Sequence, residues 1–275
     1  MTMPGGARLG PRPIAIHLEG LACMGAAAEW KGEQLTLSAP RGLYGVEFAL
    51  RLPSVGATET LMMAAVKAKG ITVLRGAARE PEVVDLARFL MAAGAHICGA
   101  GTSTIWIQGR ERLSGAAFRP VTDRIVAATV LAAAAATGGS VTLRRCVPEH
   151  LEPVVEVLTR GGGRIRREGS AALTLAAPAR LAGAGWVTAG AYPAFPTDAA
   201  PVLAAAFLTA AGPSYFEDTV FEHRFGCAAG FSALGGRAKV RGRLLELAPA
   251  ERLQGAAVSA ADLRGGAALA VAGLQ

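Results

Sequence analysis

Residues that bind metals or form crosslinks are scarce in this sequence. It holds four cysteines and four histidines among 275 residues. No C-x-x-C or H-x-x-x-H pair occurs, so the sequence predicts neither a zinc site nor a disulfide framework. We expect a cytoplasmic protein with no metal, no cofactor and four reduced thiols, which are Cys23, Cys98, Cys146 and Cys227.

Long apolar runs and dense blocks of charge are also missing. The alanine-rich runs fall short of the roughly 20 residues that span a bilayer, and the proline-bearing N-terminus lacks the apolar core of a signal peptide. Aromatic residues make up 5% of the chain and are not interleaved with a basic stripe, which argues against nucleic-acid binding. The net charge of +7 comes from scattered arginines, which suit either solvated surface or an anionic ligand.

Apolar and small residues dominate what is present. Hydrophobic residues form 52% of the chain, and 35 residues are glycine. A chain of this length and composition can bury a large core, and we expect two domains. Helices rich in alanine and glycine can pack closely on sheets, so the composition favours a layered α/β fold.

Two short signatures recur with a period of about 70 residues. A Leu-x-Gly signature begins at Leu43, Leu113, Leu181 and Leu253. A glycine that we expect at helix ends follows the same spacing, at Gly25, Gly94, Gly162 and Gly235. The chain is therefore a repeat, with a partial copy over residues 1–52, full copies over 53–121, 122–190 and 191–260, and the start of another after Ala261.

The second copy predicts the content of one unit. Helical spacing of apolar residues predicts one helix over 58–69, and Pro81 opens a second that ends at Gly94. Short apolar runs bounded by glycine predict strands over 71–74, 96–98, 105–107 and 116–118. The unit is βαβαββ-like.

Six segments, in this order, resemble the enolpyruvyl transferase family, and specifically the UDP-N-acetylglucosamine 1-carboxyvinyltransferases. They are Gly5–Pro13, Pro53–Glu59, Arg79–Ala87, Phe195–Asp198, Phe221–Phe225 and Asp262–Arg264. The resemblance implies inverse α/β barrel domains, each of three βαβαββ units, with substrates bound between two domains. Residues 1–121 and 122–275 would be partial forms of these two domains. The chain would be truncated at both ends relative to the family, and it would pass from one domain to the other near Pro120. Incomplete edges would allow self-association.

The resemblance also implies the site. The family transfers the enolpyruvyl group of phosphoenolpyruvate to the 3-hydroxyl of UDP-N-acetylglucosamine, an early step of peptidoglycan synthesis. Asp198 matches the general base, and the matching substrate-binding positions are Arg12, Pro13, Ile14, Ile16, Ser54, Val55, Gly56, Val220, Arg224, Asp262 and Arg264. A second interpretation as helix N-caps applies to Ser54 (or Thr58), Asp198 and Asp262, and for Asp198 the two interpretations are compatible.

Ala7 departs from the family, whose members place cysteine or aspartate there as the acid that protonates the methylene carbon. A methyl group cannot donate a proton or act as a nucleophile. The family's N-terminal Lys-Asn pair and late arginine also have no counterpart. We therefore expect an enzyme homologue that is inactive as this chain alone and holds phosphoenolpyruvate weakly or not at all. The alternatives are a degenerate paralogue that binds a nucleotide sugar or a complete transferase, and an enolpyruvylshikimate-phosphate synthase-like enzyme.

Overall fold

The computed structural model describes residues 14–275, which divide into two compact units, 14–121 and 122–275. The elements of the first unit are α1 (Ala15–Cys23), β1 (Ala27–Lys31), β2 (Gln34–Ser38), β3 (Glu47–Ala49), α2 (Val55–Ala65), β4 (Ile71–Arg75), α3 (Pro81–Ala92), β5 (His96–Cys98) and β6 (Thr104–Gln108). Within the described residues, no helix is both long and apolar enough to cross a bilayer.

The first unit has a four-stranded sheet and a separate hairpin. The sheet order is β3-β4-β6-β5, with β3 parallel to β4 and the other pairs antiparallel. Strands β1 and β2 form the hairpin. Helix α3 shows how the sequence specifies an element, because Pro81 starts it, the apolar side chains of Val83, Ala87 and Leu90 are buried along one face, and Gly94 follows its end at a φ of 99°.

The second unit repeats the same motif twice. Its elements are α4 (Arg124–Ala136), β7 (Ser140–Arg144), a 3-10 turn (Pro148–Leu151), α5 (Glu152–Arg160), β8 (Arg164–Arg167), β9 (Ala172–Ala176), β10 (Gly185–Gly190), β11 (Phe195–Pro196), α6 (Ala200–Ala206), β12 (Ser214–Asp218), α7 (Ala228–Ala233), β13 (Arg237–Arg241), β14 (Leu244–Ala248) and α8 (Leu263–Ala272). The sheet orders β7-β9-β8 and β12-β14-β13 match β4-β6-β5 of the first unit. The predicted α/β repeat is confirmed.

Each helix-end glycine takes part in a backbone clasp that explains both sequence signatures. Gly25, Gly94, Gly162 and Gly235 have φ values of 97°, 99°, 92° and 87°. The middle residue of each Leu-x-Gly donates its N–H to the carbonyl just before that glycine, over 2.8–2.9 Å, in the pairs Tyr44–Met24, Ser114–Ala93, Ala182–Gly161 and Gln254–Leu234. We call these four hydrogen bonds the repeat clasps. They satisfy a carbonyl that the helix leaves without an intrahelical partner.

The strand predicted over 116–118 is wrong. This segment runs without strand pairing along α3 instead, where the Phe118 ring packs edge-on against Phe89 at 5.6 Å and the Val121 N–H donates to the Asp85 carboxylate over 3.1 Å. The predicted helix over 58–69 also differs, because it begins at Val55 and ends at Ala65.

Helix α6 lies at the centre of the second unit. All seven of its residues are buried, and it packs against α4 and α8. These helices are rich in alanine, which lets their backbones approach closely. Because α6 is covered on every side, the loop that leads into it is held in a fixed position.

Candidate functional site

Asp198 lies in that loop, between β11 and α6. Helix α6 has Ala199 at its N-cap with no side-chain capping bond, so Asp198 does not serve as the cap. Its side chain is 37% exposed and both of its oxygens accept hydrogen bonds from arginines. The carboxylate therefore stands at the surface of the second unit with a fixed orientation.

Two guanidinium groups hold this carboxylate from different elements. Arg224 donates from Nη2 to Oδ1 of Asp198 over 2.8 Å. Arg264 donates to Oδ2 from Nε over 3.1 Å and from Nη2 over 2.9 Å. Such charge-assisted bonds are stronger than neutral ones and restrict rotation of the carboxylate.

Arg264 is itself positioned by the start of α8. Asp262 caps this helix, and its Oδ1 accepts the backbone N–H groups of Arg264 and Gly265 over 3.0 and 2.9 Å. The structure thus brings Asp198, Arg224, Arg264 and Asp262 together in one cluster. The capping interpretation of Asp262 holds in the structure.

Behind Asp198, a buried ion pair anchors Arg224. The Arg224 side chain is 1% exposed and its Nε lies 3.4 Å from Oδ2 of Asp218, which is 0% exposed. The guanidinium also lies over the ring of Phe221, 4.4 Å from its centroid. Asp218 was not singled out from the sequence, where its one signal is an acidic residue two positions before Val220.

Asp218 also shapes the turn that carries Val220. Its Oδ1 accepts the N–H groups of Val220 and Phe221 over 2.8 and 2.7 Å. The Val220 side chain is exposed. A ligand contact at Val220 would therefore use its side chain or its carbonyl, because the N–H is already bonded.

In the first unit, the predicted residues lie at the N-termini of two neighbouring helices. Ile14 is the N-cap residue of α1, and the Ile16 side chain is buried in the core. Ser54 caps α2, where its Oγ accepts the Ala57 N–H over 3.3 Å. Val55 and Gly56 follow in the first turn of α2, where backbone N–H groups point out of the helix.

Glycine at position 56 is explained by a close approach between α1 and α2. A Cβ atom there would lie 3.2 Å from Nε2 of His17. Burial lowers the pKa of His17, which favours the neutral imidazole. Nearby in α2, burial and then the charges of Glu82 and Glu80 raise the pKa of Glu59.

Ala7, Arg12 and Pro13 lie outside the described residues, so the structure places neither the position of the missing acid nor the predicted phosphate-binding arginine. Among residues 14–275, no group of three or more histidine, cysteine, aspartate or glutamate side chains could hold a metal ion.

Comparison with known proteins identifies relatives over the whole chain. A family model described as EPSP synthase (3-phosphoshikimate 1-carboxyvinyltransferase) matches residues 1–275. UDP-N-acetylglucosamine 1-carboxyvinyltransferase 1 of Symbiobacterium thermophilum is 46% identical over 275 residues, which are 100% of this chain and 62% of the relative. The corresponding protein of Finegoldia magna is 43% identical over 273 residues, 99% of this chain and 64% of the relative.

A solved structure has the same fold. The enolpyruvyl transferase NikO from Streptomyces tendae superimposes with a TM-score of 0.83 at 26% identity, covering 96% of this chain and 65% of that one. The chain spans less than two thirds of the length of these relatives. The match over all 275 residues and the identities to two carboxyvinyltransferases show that this chain belongs to the enolpyruvyl transferase family.

Proposed function

We propose that this protein is a UDP-N-acetylglucosamine enolpyruvyl transferase homologue that retains the nucleotide-sugar site but lacks the acid needed for turnover by this chain alone. The observation that carries the proposal is the Asp198 carboxylate held by Arg224 and Arg264. The names of the 46% and 43% identical relatives supply the reaction. The proposal assigns the protein to peptidoglycan precursor synthesis in the cytoplasm.

The hydrogen bonds of Asp198 support its proposed role as the general base. A carboxylate offers about four lone-pair positions, and here three N–H groups donate to it, which leaves room for one more donor. The 3-hydroxyl of the sugar would be that donor. In the family's reaction, the hydroxyl proton would pass to Asp198 while the hydroxyl oxygen bonds to the second carbon of phosphoenolpyruvate, the carbon–carbon double bond opens, and the methylene carbon takes a proton from the acid. Loss of phosphate together with a proton from that carbon then restores the double bond.

The acid for the methylene carbon is the missing part. The family's acid position is Ala7 here, and alanine carries no proton to give. Arg12 would supply part of the phosphate site because a guanidinium can pair two hydrogen bonds with phosphate oxygens.

The first unit would bind the diphosphate of the nucleotide. The N-terminus of α2 combines the positive end of a helix dipole with outward N–H groups at Val55 and Gly56. Ser54 uses its hydroxyl oxygen to accept the Ala57 N–H, so its O–H hydrogen is the part that can be donated to a ligand. The buried Ile16 side chain leaves its backbone as the contact group.

Ala7 also supports a second candidate, a non-catalytic paralogue that binds a nucleotide sugar or pairs with a complete transferase. The two candidates share the sugar site and differ in whether any chemistry remains. An enolpyruvylshikimate-phosphate synthase-like enzyme is the minor alternative, because that branch of the family does not need a cysteine at the position of Ala7.

Isothermal titration calorimetry with UDP-N-acetylglucosamine tests the binding site. We expect weak binding, with a Kd tighter than about 1 mM, which corresponds to about −4 kcal/mol. Asp198→Ala should weaken it, whereas Glu222→Ala, an exposed carboxylate in a pair with Arg243, should leave it unchanged. The absence of binding heat up to millimolar nucleotide sugar would contradict a retained site. Preferential binding of shikimate phosphate would instead assign the protein to the enolpyruvylshikimate-phosphate synthase branch of the family.

Phosphate release with both substrates tests the chemistry. We expect no phosphate release above the blank from these 275 residues, because alanine at position 7 cannot donate the proton, and we expect no rescue by Ala7→Cys in the same 275 residues. Turnover by the unmodified chain that Asp198→Ala abolishes would show that another residue donates the proton. That result would overturn the inactive interpretation while leaving the nucleotide-sugar site intact.

A further inference from the structure

The turn that carries Val220, formed by residues 218–221, has its N–H groups bonded within the second unit. The N–H groups of Val220 and Phe221 donate to Oδ1 of Asp218 over 2.8 and 2.7 Å. The N–H and the hydroxyl of Thr219 both donate to the Ala189 carbonyl, over 3.0 and 2.8 Å. The groups left to orient the turn further are its carbonyls.

Arg243 bonds one of these carbonyls. It lies in the two-residue connection between β13 and β14, and its own carbonyl accepts the Asp218 N–H over 3.0 Å, so this connection lies beside the end of β12. The side chain then reaches the turn, where Nη1 donates to the Thr219 carbonyl over 2.8 Å. Nη2 donates to Oε1 of Glu222 over 3.1 Å. One guanidinium therefore contacts residues before and after Val220.

These bonds fix the two peptide groups on either side of Val220. A trans peptide group is planar, with its carbonyl and N–H pointing in opposite directions. The group that joins Thr219 to Val220 is held at its carbonyl by Arg243 and at its N–H by Asp218. In the next group the Phe221 N–H is bonded to Asp218, which directs the Val220 carbonyl away from that carboxylate.

The turn leads directly to the Asp198 carboxylate. The ring of Phe221 lies 4.4 Å from the Arg224 guanidinium, and Arg224 donates to Asp198 over 2.8 Å. Val220 is 48% exposed beside this chain of contacts. A ligand whose sugar hydroxyl meets Asp198 would therefore reach Val220 with the same end of the molecule.

We propose that Arg243 is a positioning residue for the sugar end of a nucleotide-sugar ligand, acting through the Thr219 carbonyl on the orientation of Val220. The inference rests on the proposed nucleotide-sugar site. The role requires no contact between Arg243 and the ligand, because Nη1 and Nη2 are both used by the turn and by Glu222.

Calorimetry with UDP-N-acetylglucosamine and the 275-residue chain tests the proposal. Arg243→Ala removes a charge-assisted hydrogen bond from the turn, so the Kd should rise at least about fivefold. The control Arg241→Ala removes the same charge from the same hairpin, but Arg241 pairs with Glu246 and not with the turn. Its Kd should change by less than about twofold, which separates positioning from simple attraction of an anionic ligand.

Uridine diphosphate is the matched ligand, because it lacks the sugar. Arg243→Ala should change the Kd of this ligand by less than about twofold, since the turn would contact the sugar end alone. An effect that arises only from a weakened fold would not distinguish the two ligands. Urea unfolding of the variants provides the check that both are folded under the conditions of the titration.

Hydrogen exchange without ligand tests the mechanism. Arg243→Ala should speed exchange of the Val220 and Phe221 N–H groups, because the turn opens more often when its carbonyl partner is lost. Glu222→Ala keeps the bond between Arg243 and Thr219, so it should leave these rates unchanged. Mass spectrometry of a peptide that covers residues 219–223 measures both.

Four results would overturn the proposal. They are an unchanged Kd for the nucleotide sugar in Arg243→Ala, an equal loss in Arg241→Ala, an equal loss for uridine diphosphate, and unchanged exchange in the turn. Absence of nucleotide-sugar binding by the unmodified chain is a different outcome, because it contradicts the proposed function and removes this inference with it. Binding by the unmodified chain together with any of the four results leaves the proposed function standing.

Discussion

At the scale of single residues, charges of alternating sign run from the surface of the second unit into its core. Asp198 is partly exposed, Arg224 behind it is buried, and Asp218 behind Arg224 is fully buried. A buried guanidinium is strongly destabilising unless carboxylates pair with it. The orientation of the Asp198 carboxylate therefore depends on Asp218, a buried residue that a ligand would not contact.

Removing Asp218 should destabilise the fold more than removing any exposed carboxylate. Asp218→Ala leaves the Arg224 charge buried against Phe221 and also removes the acceptor for two turn N–H groups. We expect a loss of about 3–5 kcal/mol in the free energy of unfolding, measured with urea. The control Glu222→Ala breaks an exposed pair and should cost less than about 1 kcal/mol. Equal effects of the two variants would show that Asp218 does not anchor Arg224.

The sequence could indicate Asp198 but not Asp218. Asp198 lies in a short family motif, so its identity could be recognised without coordinates. The importance of Asp218 depends on burial and on a partner six residues away across a turn, and neither quantity is visible in a linear pattern. The residue roles themselves stay predictions until binding is measured.

At the scale of elements, the space around the glycine at the third position of the Leu-x-Gly signature differs from copy to copy. A Cβ atom at Gly45 would lie 2.3 Å from the Ile71 carbonyl oxygen, and one at Gly183 would lie 2.4 Å from that of Pro213. At Gly115 and Gly255 a Cβ would meet nothing within 4 Å. The close approach occurs in the copies where strands β3 and β10 run parallel to their neighbours.

Alanine at these glycines should therefore have unequal effects. Gly45→Ala must push the backbone away from β4, so we expect it to lower the free energy of unfolding by about 1–3 kcal/mol. Gly115→Ala, the matched control with open space and no strand after it, should change stability by less than about 0.5 kcal/mol. Thermal unfolding of the two variants decides the matter. Comparable losses at both positions would mean that glycine is required by the signature itself.

The elements were predictable where local signals decide them. The span of α3 follows from Pro81, the apolar stripe and Gly94, which are all neighbours in the chain. The strand predicted over 116–118 failed because a strand needs a partner, and this segment packs Phe118 on Phe89 instead. The Leu-x-Gly signature is present at Leu113, but the segment after it does not form the parallel strand pairing seen for β3 and β10.

At the scale of the whole molecule, the hydrophobic core falls into two clusters, one in each unit. The cysteines are divided in the same way. Cys23 and Cys98 of the first unit are exposed, whereas Cys146 and Cys227 of the second are buried. Burial, and then the Asp262 charge, raise the pKa of Cys227 to about 12, and burial raises that of Cys146.

Thiol labelling should therefore report on the second unit. The thiolate is the reactive form, so a raised pKa leaves little of it at pH 8. We expect a disulfide reagent to titrate two thiols in the native protein and all four in denaturant. Mass spectrometry should find the native label on Cys23 and Cys98. Labelling of Cys227 as fast as Cys98 under native conditions would show that its surroundings are open.

The repeat clasps also bear on how the chain folds. Each joins residues 20 or 21 positions apart, and a loop of that length closes at a modest entropic cost. Contacts between near neighbours in sequence form faster than long-range ones. The four clasped segments therefore offer four places where native structure can start independently, so a mutation that slows one should leave early protection of the other three against hydrogen exchange unchanged.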